Sequence, residues 1–414
     1  MSEPERDALR AAVVASPDDD LPRLVFADYL EERGEPARAA FIRDQIELAN
    51  TPPWEPFAVH ARRRVPPLED DATYELFLPG LGKSLVWGEP AMRRGFGYSL
   101  KVGFVPALTE IGERLLGVEP VAHLELAAAP LAEYWRDLFA QPWFARIHKL
   151  TLPSMANSNE LLRELEVGAG ATGIRELDFR FCDRPSAEFL VQRLSASPIA
   201  AQLRSLTFSF GPLDLLESLR DFPTPLESLS CHLMRSSGGA VEDFVRLPCL
   251  SRLKRLDLSC DALEPAVIRA FVCHGLPREL YELNLSGCNL RAEDVALLAA
   301  APGLGELRRL NLDYDHVGDG LAALMSALPR VRSLSLSGTK LANDGIASLT
   351  RAAAWPNLVE LNLSQNWLGD VAADSLCDAP MPPDLTTLNV GGNEFSTVAK
   401  RKLAAHFGDR VVGG

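Results

Sequence analysis

The sequence predicts an α/β solenoid, in which parallel strands and helices alternate along a stack of similar units. Three observations predict it. The strings LKRLDLSCDAL (253–263), LYELNLSGCNL (280–290), LRRLNLDYDHV (307–317), VRSLSLSGTKL (331–341), LVELNLSQNWL (358–368) and LTTLNVGGNEF (385–395) obey one pattern, L-x-x-L-x-L-x-x-(N/C/D/T)-x-L. Their first residues fall at intervals of 27, 27, 24, 27 and 27, a period that marks stacked supersecondary units. Within each copy apolar and polar residues alternate, the period of a half-buried strand. Each copy then runs into an alanine-rich helical stretch, such as RAEDVALLAAA (291–301), GDGLAALMSAL (318–328) and NDGIASLTRAAA (343–354). One unit cannot bury its own apolar face, so its stability must come from the neighbours above and below.

Alternation assigns a side to every strand residue. In the copy at 358, Leu361 and Leu363 point inward, and Glu360, Asn362 and Ser364 point outward. The ninth position, Asn366 here, turns its amide onto nearby backbone to close the bend after the strand. Cys182 and Cys288 hold the same position in their copies and read as structural thiols. Weaker copies precede the clear ones: VAHLELAAAPL at 121, IHKLTLPSMAN at 147, IRELDFRFCDR at 174, LRSLTFSFGPL at 203 and LESLSCHLMRS at 226. The last of these is the most degraded, with Met234 at the ninth position. The count is eleven coils between 121 and 395.

A unit of about 27 residues with one strand and one helix resembles the ribonuclease-inhibitor-like class of leucine-rich repeats. The resemblance implies a horseshoe with a parallel sheet on its concave face and helices on its convex face. It says little about activity, because one fold hosts many functions. The class mostly binds proteins.

Residues 1–50 break the period and read as three helices, PERDALRAAVVAS, DDDLPRLVFADYLEERG and PARAAFIRDQIELA. Ser16 and Asp18 to Asp20 carry helix-start chemistry, and Gly34 ends the second helix. Twelve Asp and Glu stand against six Arg, a balance of −6. The stretch with Pro17, Asp19, Leu24, Ala27, Asp28, Leu30, Glu31, Gly34, Phe41 and Ile42 resembles the short repeat-companion domain that precedes leucine-rich repeats in some bacterial proteins. That resemblance names a context and carries no activity. Asp28, Glu31 and Glu32 share one helix turn, where they form a solvated charged face or meet a cation or a basic partner. The expected organisation is an acidic helical module at 1–50, a Pro-rich connection and N-terminal cap at 51–120, and the solenoid with its C-terminal cap at 121–414. The tail at 410–412 is expected to close the stack as a strand or a cap.

Composition narrows the function. The formal net charge of −14 argues against nucleic acid, which needs a basic footprint. A protein with a basic patch would instead be steered toward this chain. No apolar run of about 18 residues could span a membrane. Seven cysteines, an odd number without a C-x-x-C pair, and a charged N-terminus predict reduced thiols in a cytoplasm. GLGKS (80–84) ends like a phosphate-binding loop, yet Phe77 stands where the motif needs glycine. The seven histidines have no metal-ligand spacing. Neither a cofactor nor a metal is expected, and no catalytic residue is assigned.

The expected function is therefore a non-catalytic protein-binding scaffold or adaptor that engages its partner on the concave face. A regulatory inhibitor or GTPase-regulator-like protein is the first alternative, and an enzyme housed in the first 120 residues the second. The candidate contact residues are the outward and bend positions Arg180, Phe181, Phe210, His232, Arg255, Asp257, Arg309, Asp313, Tyr314, His316 and Trp367. Aromatic and arginine side chains are the usual anchors of an interface. Ser333, Ser335 and Ser337 would let a partner approach closely.

Overall fold

The computed structural model describes residues 3–64, 86–87, 92–102, 112, 116–117, 119–126, 132–152, 161, 163, 173–180, 184–212, 219–223, 225–234, 244–259, 263, 265–352 and 354–413. The chain divides into two compact units. One holds Met1–Pro52, His60–Cys182 and Ala196–Leu203, and the other Pro53–Val59, Asp183–Ser195 and Arg204–Gly414. Phe181, Cys182 and the GLGKS segment lie outside the described residues, as do the side chains of Arg62 to Val65.

In the first unit three helices, α1 (Glu3–Ala15), α2 (Leu21–Glu32) and α3 (Pro36–Asn50), match the three helical stretches of the sequence. Their buried faces supply Val13, Phe26, Ala27, Leu30, Ala39, Ile42 and Ile46 to one core. Phe96 completes that core. It arrives on an antiparallel hairpin of β2 (Met92–Arg93) and β3 (Phe96–Gly97). Arg23 and Arg38 each place a guanidinium over the Phe96 ring, at 5.6 and 5.7 Å, a cation–π arrangement. Gly95 makes the approach possible. Its φ is +81° and a Cβ there would lie 2.7 Å from Ile42 Cα, so only glycine fits.

The same unit carries the start of the solenoid. Strand β4 (Ser99–Val102) pairs antiparallel with the short β1 (Val86–Trp87) on one edge. On its other edge it pairs in parallel with β5 (His123–Leu126), and parallel pairing continues through β6 (Lys149–Leu152) to β7 (Glu176–Phe179). The short β1 thus pairs with the edge of β4 that faces away from β5.

The second unit continues the repeat through β8 (Ser205–Pro212), β9 (Ser228–Met234), β10 (Arg255–Asp257), β11 (Glu282–Asn284), β12 (Arg309–Asn311), β13 (Ser333–Ser335), β14 (Glu360–Asn362), β15 (Thr387–Asn389) and β16 (Val411–Val412). All neighbours from β8 to β16 pair in parallel. The register sets Leu256, Leu283, Leu310, Leu334, Leu361 and Leu388 side by side. The strands β5 to β15 coincide with the eleven motif copies, and the tail at 411–412 closes the stack as β16. Helices α4 (Pro56–Arg64), α5 (Ala132–Phe139) and α6 (Arg184–Ala196) come earlier in the chain, and between consecutive strands of this unit lie α7 (Pro265–His274), α8 (Ala292–Leu298), α9 (Gly320–Ala327), α10 (Asn343–Arg351), α11 (Asp370–Asp378) and α12 (Thr397–Phe407). The fold is an α/β solenoid. The Trp54 ring packs against Tyr281 at 4.6 Å, tilted by 58°, and Glu55 reaches Arg332 at 3.5 Å. The Pro-rich segment at 53–59 is therefore docked on the repeats of its own unit.

Inward assignments hold where the pattern is clear. Leu283, Leu285, Leu361 and Leu363 are at most 1% exposed. Ser337 and Ser364, expected to face outward, are instead buried and bonded to each other at 2.8 Å. They sit where the strand turns into the bend, so neighbouring coils cover them.

The ninth position ties each coil to the one before it. Asn366 Nδ2 donates to the carbonyls of Leu363 in its own coil and Leu336 in the preceding one. Its Oδ1 accepts from Leu341 N and Thr339 Oγ1. Asn393 repeats the scheme on Val390, Leu363, Leu368 and Asn366. Cys288 Sγ makes the corresponding contact with Leu258 O at 3.3 Å. Asp315 fills only half of the role. Its Oδ1 accepts from Leu290 N at 2.8 Å, but its buried Oδ2 has no hydrogen-bond partner among the described residues. Burial pushes this carboxyl up to about 7, against bonds from Leu290 and Asn289 that favour the charge.

Two outcomes follow from this packing. Leu285→Ala and Leu363→Ala should each cost roughly 2–5 kcal/mol, the range for a buried Leu cavity, read as lowered midpoints in denaturant melts. For Asp315 the folded pKa lies above the unfolded one, so the unfolded chain ionises first as pH rises. Stability is then full below about pH 4, declines toward pH 7 and is flat above it. Asp315→Asn restores the amide donor and removes this slope. The variant should be more stable than the parent at pH 8 and lose that advantage toward pH 4. Parallel stability–pH curves for the two proteins would rule the assignment out.

Candidate functional site

The outward positions of β11 to β15 line a cavity of about 350 Å³. The third position of each strand contributes Glu282, Arg309, Ser333, Glu360 and Thr387, and the fifth contributes Asn284, Asn311, Ser335, Asn362 and Asn389. The leucines between them point the other way, as the two-residue period of a strand requires.

The fifth position has a consistent chemistry. The side-chain oxygens of Asp257, Asn284, Asn311, Asn362 and Asn389 each accept the backbone N–H two residues on, at 2.9–3.2 Å. These are Asx turns. The turn engages the oxygen and leaves both N–H donors of each asparagine amide outside it. Asn362 Nδ2 donates to Ser335 Oγ at 3.0 Å. The Nδ2 groups of Asn284, Asn311 and Asn389 donate no protein hydrogen bond among the described residues. Thr387 Oγ1 and Arg309 Nε are buried without a hydrogen-bond partner among the described residues. Arg309 Nη1 pairs with Glu282 at 3.0 Å, while Glu360 forms no ion pair among the described residues. The groove is thus rich in hydrogen-bond donors, with one unpaired carboxylate.

The sequence candidates do not converge on one spot. Arg309 lies in the groove. Asp313 stands at its border, where Oδ1 accepts from Ser335 Oγ and Ser337 N, both at 2.6 Å. Burial raises its pKa against those two bonds. Arg255 is exposed, and Asp257 is half-buried. Tyr314, His316 and Trp367 are exposed on the bends beyond the strands and line no part of the groove. Tyr314 and Trp367 have φ of +63° and +54° and are 59% and 64% exposed. The Tyr314 ring lies against Gly338, where a Cβ would come within 2.8 Å of it. Phe210 is the extra residue at a bulge, since the register with β9 shifts between Ser209 and Gly211. Its side chain and that of His232 lie outside the described residues. Asn284, Asn389, Glu282, Glu360 and Thr387 were not singled out by residue type, whereas Asn311 and Asn362 were among the outward positions that the sequence offered. The signal for the amides was present, however, in the recurrent Asn at the fifth motif position.

Arg180 belongs to the first unit and is already engaged. Its guanidinium grips Glu125 at 2.8 and 3.1 Å, and Lys101 Nζ joins the same carboxylate at 3.0 Å. Burial works against the Glu125 charge, but the bonds from Lys101 and Arg180 outweigh it and lower its pKa. Beside this network runs a buried polar chain that sequence alone did not single out. Ser99 Oγ lies 2.7 Å from His123 Nδ1, His123 Nε2 lies 2.9 Å from Thr151 Oγ1, and Thr151 donates to Asp178 Oδ2 at 3.3 Å. Because the Thr151 proton goes to Asp178, Nε2 carries the imidazole proton and Nδ1 accepts from Ser99. Burial, then the charge of Lys149, push His123 down to about 4, so the ring is neutral at pH 7. Ser99 and Thr151 are wholly buried and His123 is 1% exposed, which makes this chain internal support between four strands. Burial also raises both Cys231 and Cys249, the latter to about 12, so neither is a ready thiolate. Asp28 and Glu31 both pair with Arg43 at 2.7 Å. Among the described residues no group of three His, Cys, Asp or Glu side chains is placed to hold a metal ion. No described helix is long and apolar enough to cross a membrane.

No curated protein sequence matches the chain. Among solved structures, similarity extends to a chain of the Rad7 and Elc1 complex of yeast, at 15% identity and TM-score 0.45, covering 75% of this chain and 86% of that one. It extends to an internalin, inlF, of Listeria monocytogenes, at 12% identity and TM-score 0.36, covering 73% and 69%. A Bacteroides fragilis protein matches at 12% identity and TM-score 0.37, covering 75% and 80%. The family model described as Leucine Rich repeat matches residues 356–377, the stretch that carries β14, Asn366 and most of α11. The repeating unit of this solenoid is the leucine-rich repeat.

Proposed function

We propose that the chain is a non-catalytic protein-binding scaffold whose partner lies on the sheet face of β11 to β15. The observation that carries this reading is the groove itself: asparagine amides with unspent donors, hydroxyls, and Glu360 without an ion pair, all on a rigid ladder of strands. Such a surface matches the carbonyl oxygens of a polypeptide, with a Lys or Arg of that partner at Glu360. The overall charge of −14 favours the approach of a basic patch. The repeats are read as the ribonuclease-inhibitor-like type, residues 1–50 as a repeat-companion module, and the setting as the bacterial cytoplasm. An adaptor role accounts for the buried, neutral His123 chain as support rather than chemistry.

The test is affinity capture from the native cell, followed by titration of the captured protein against variants. Arg309→Ala, Asn311→Ala and Glu360→Ala should include one or two losses of about 2 kcal/mol, since only a minority of contacts reach that size. The convex controls Arg291→Ala and Arg351→Ala should bind normally. Association should slow as salt rises, because charge steering is screened beyond about 8–10 Å. Intact groove variants beside weakened controls would move the site to the helices.

A further inference from the structure

A second surface, independent of the groove, lies on α2. Its inner face buries Arg23, Phe26, Ala27 and Leu30. Its outer face exposes Leu21 at 65%, Val25 at 43% and Leu24 at 37%. These positions are spaced i, i+3 and i+4 and so form one stripe. Leu21, Leu24 and Val25 adjoin one another, unlike the singly scattered apolar side chains of an ordinary surface. Carboxylates bracket the stripe. Asp18 and Asp19 precede it, and Asp28, Glu31 and Glu32 follow it. Helix α3 runs antiparallel alongside, pinned by Arg43 to Asp28 at 2.7 Å and by Asn50 to Asp20 at 2.8 Å. That pairing sets the exposed Glu47 between the two pins, level with the stripe. Arg43 faces the surface with its charge already shared by Asp28 and Glu31.

We propose that the outer face of α2 docks a short basic amphipathic helix of a protein partner. Charge complementarity selects this occupant. The surface has an apolar centre and acidic ends about 20 Å apart along the helix. A helix of about 14 residues, apolar in the middle and carrying Lys or Arg near both ends, matches that length and sign order. A second copy of this chain would bring the same carboxylates against themselves, and an anionic membrane would be repelled in the same way.

The experiment uses the full chain and a fluorescein-labelled synthetic helix of about 16 residues, with a central leucine stripe and lysines at both ends. Fluorescence anisotropy should show saturable single-site binding. Leu21→Ser with Val25→Ser should weaken it by about tenfold or more, with an unchanged thermal midpoint because both side chains are exposed. Asp18→Asn, Asp19→Asn and Glu32→Gln together should weaken binding and flatten its salt dependence. Asn311→Ala, in the groove, should leave it unaffected, which separates this site from that one. The proposal is overturned by absence of saturable binding, by equal binding of a peptide with glutamates in place of the lysines, or by full affinity in the Leu21 and Val25 variant. It is also overturned if sedimentation shows a dimer that this variant dissolves, since the occupant is then a second copy.

Discussion

The ninth-position side chain of each repeat governs the stack more than any other polar group. A coil must bury its leucines against its neighbours, but burial alone is non-directional and sets no register. Asn366 and Asn393 supply direction. Each bridges the strand-end carbonyl and a bend N–H of the preceding coil while holding its own bend closed. A single hydrogen bond adds only about 1 kcal/mol net, whereas a buried leucine adds about 1.5–3. The leucines therefore carry the stability, and the asparagines select which packing is adopted. Where the position holds Cys288, Asp315 or Thr339, part of the bridge is lost, and at Asp315 the lost part is a buried oxygen without a partner.

The bend after each strand has a second constraint, a left-handed residue at the eighth position. Gly287, Gly338 and Gly392 meet it without cost, but Tyr314 and Gln365 meet it with a side chain. A non-glycine residue there costs about 1–2 kcal/mol. Tyr314 offsets some of this by lying on Gly338, the glycine one coil further on. Trp367, two residues beyond Gln365, is also left-handed and has most of its surface in water. Strained, exposed aromatics at the bends are a different kind of surface from the amide-lined groove.

The two units use polar groups in opposite ways. In β4 to β7 the outward-facing Ser99, His123, Glu125 and Thr151 are themselves buried and bonded, through the His123 chain and the Glu125 ion pairs. Buried polar networks add order to a sheet only when their members are paired, and this one leaves only Asp178 Oδ1 without a partner. In β11 to β15 the equivalent positions keep unspent donors. An inward-looking network supports its own sheet; unspent donors suit a partner.

Much was legible in the amino-acid order. The period, the inward leucines, the three N-terminal helices and the closing tail strand all follow from periodicity and capping chemistry, which are local. The row of fifth-position asparagines was equally visible. That their oxygens are engaged in Asx turns, with the N–H donors left outside them, depends on backbone geometry. Arg180 shows the limit most plainly. Its residue type suggested an interface anchor, yet its partner Glu125 stands 55 residues away in sequence, and only the pairing of strands brings them together. The same holds for Phe96, which periodicity assigned to a cap and packing delivered to the core of α1 to α3. Sequence by itself determined the repeat and the side each strand residue faces, because both depend on spacing along one strand. Tertiary structure decided which outward groups remain available, because availability depends on what distant segments of the chain are laid against them.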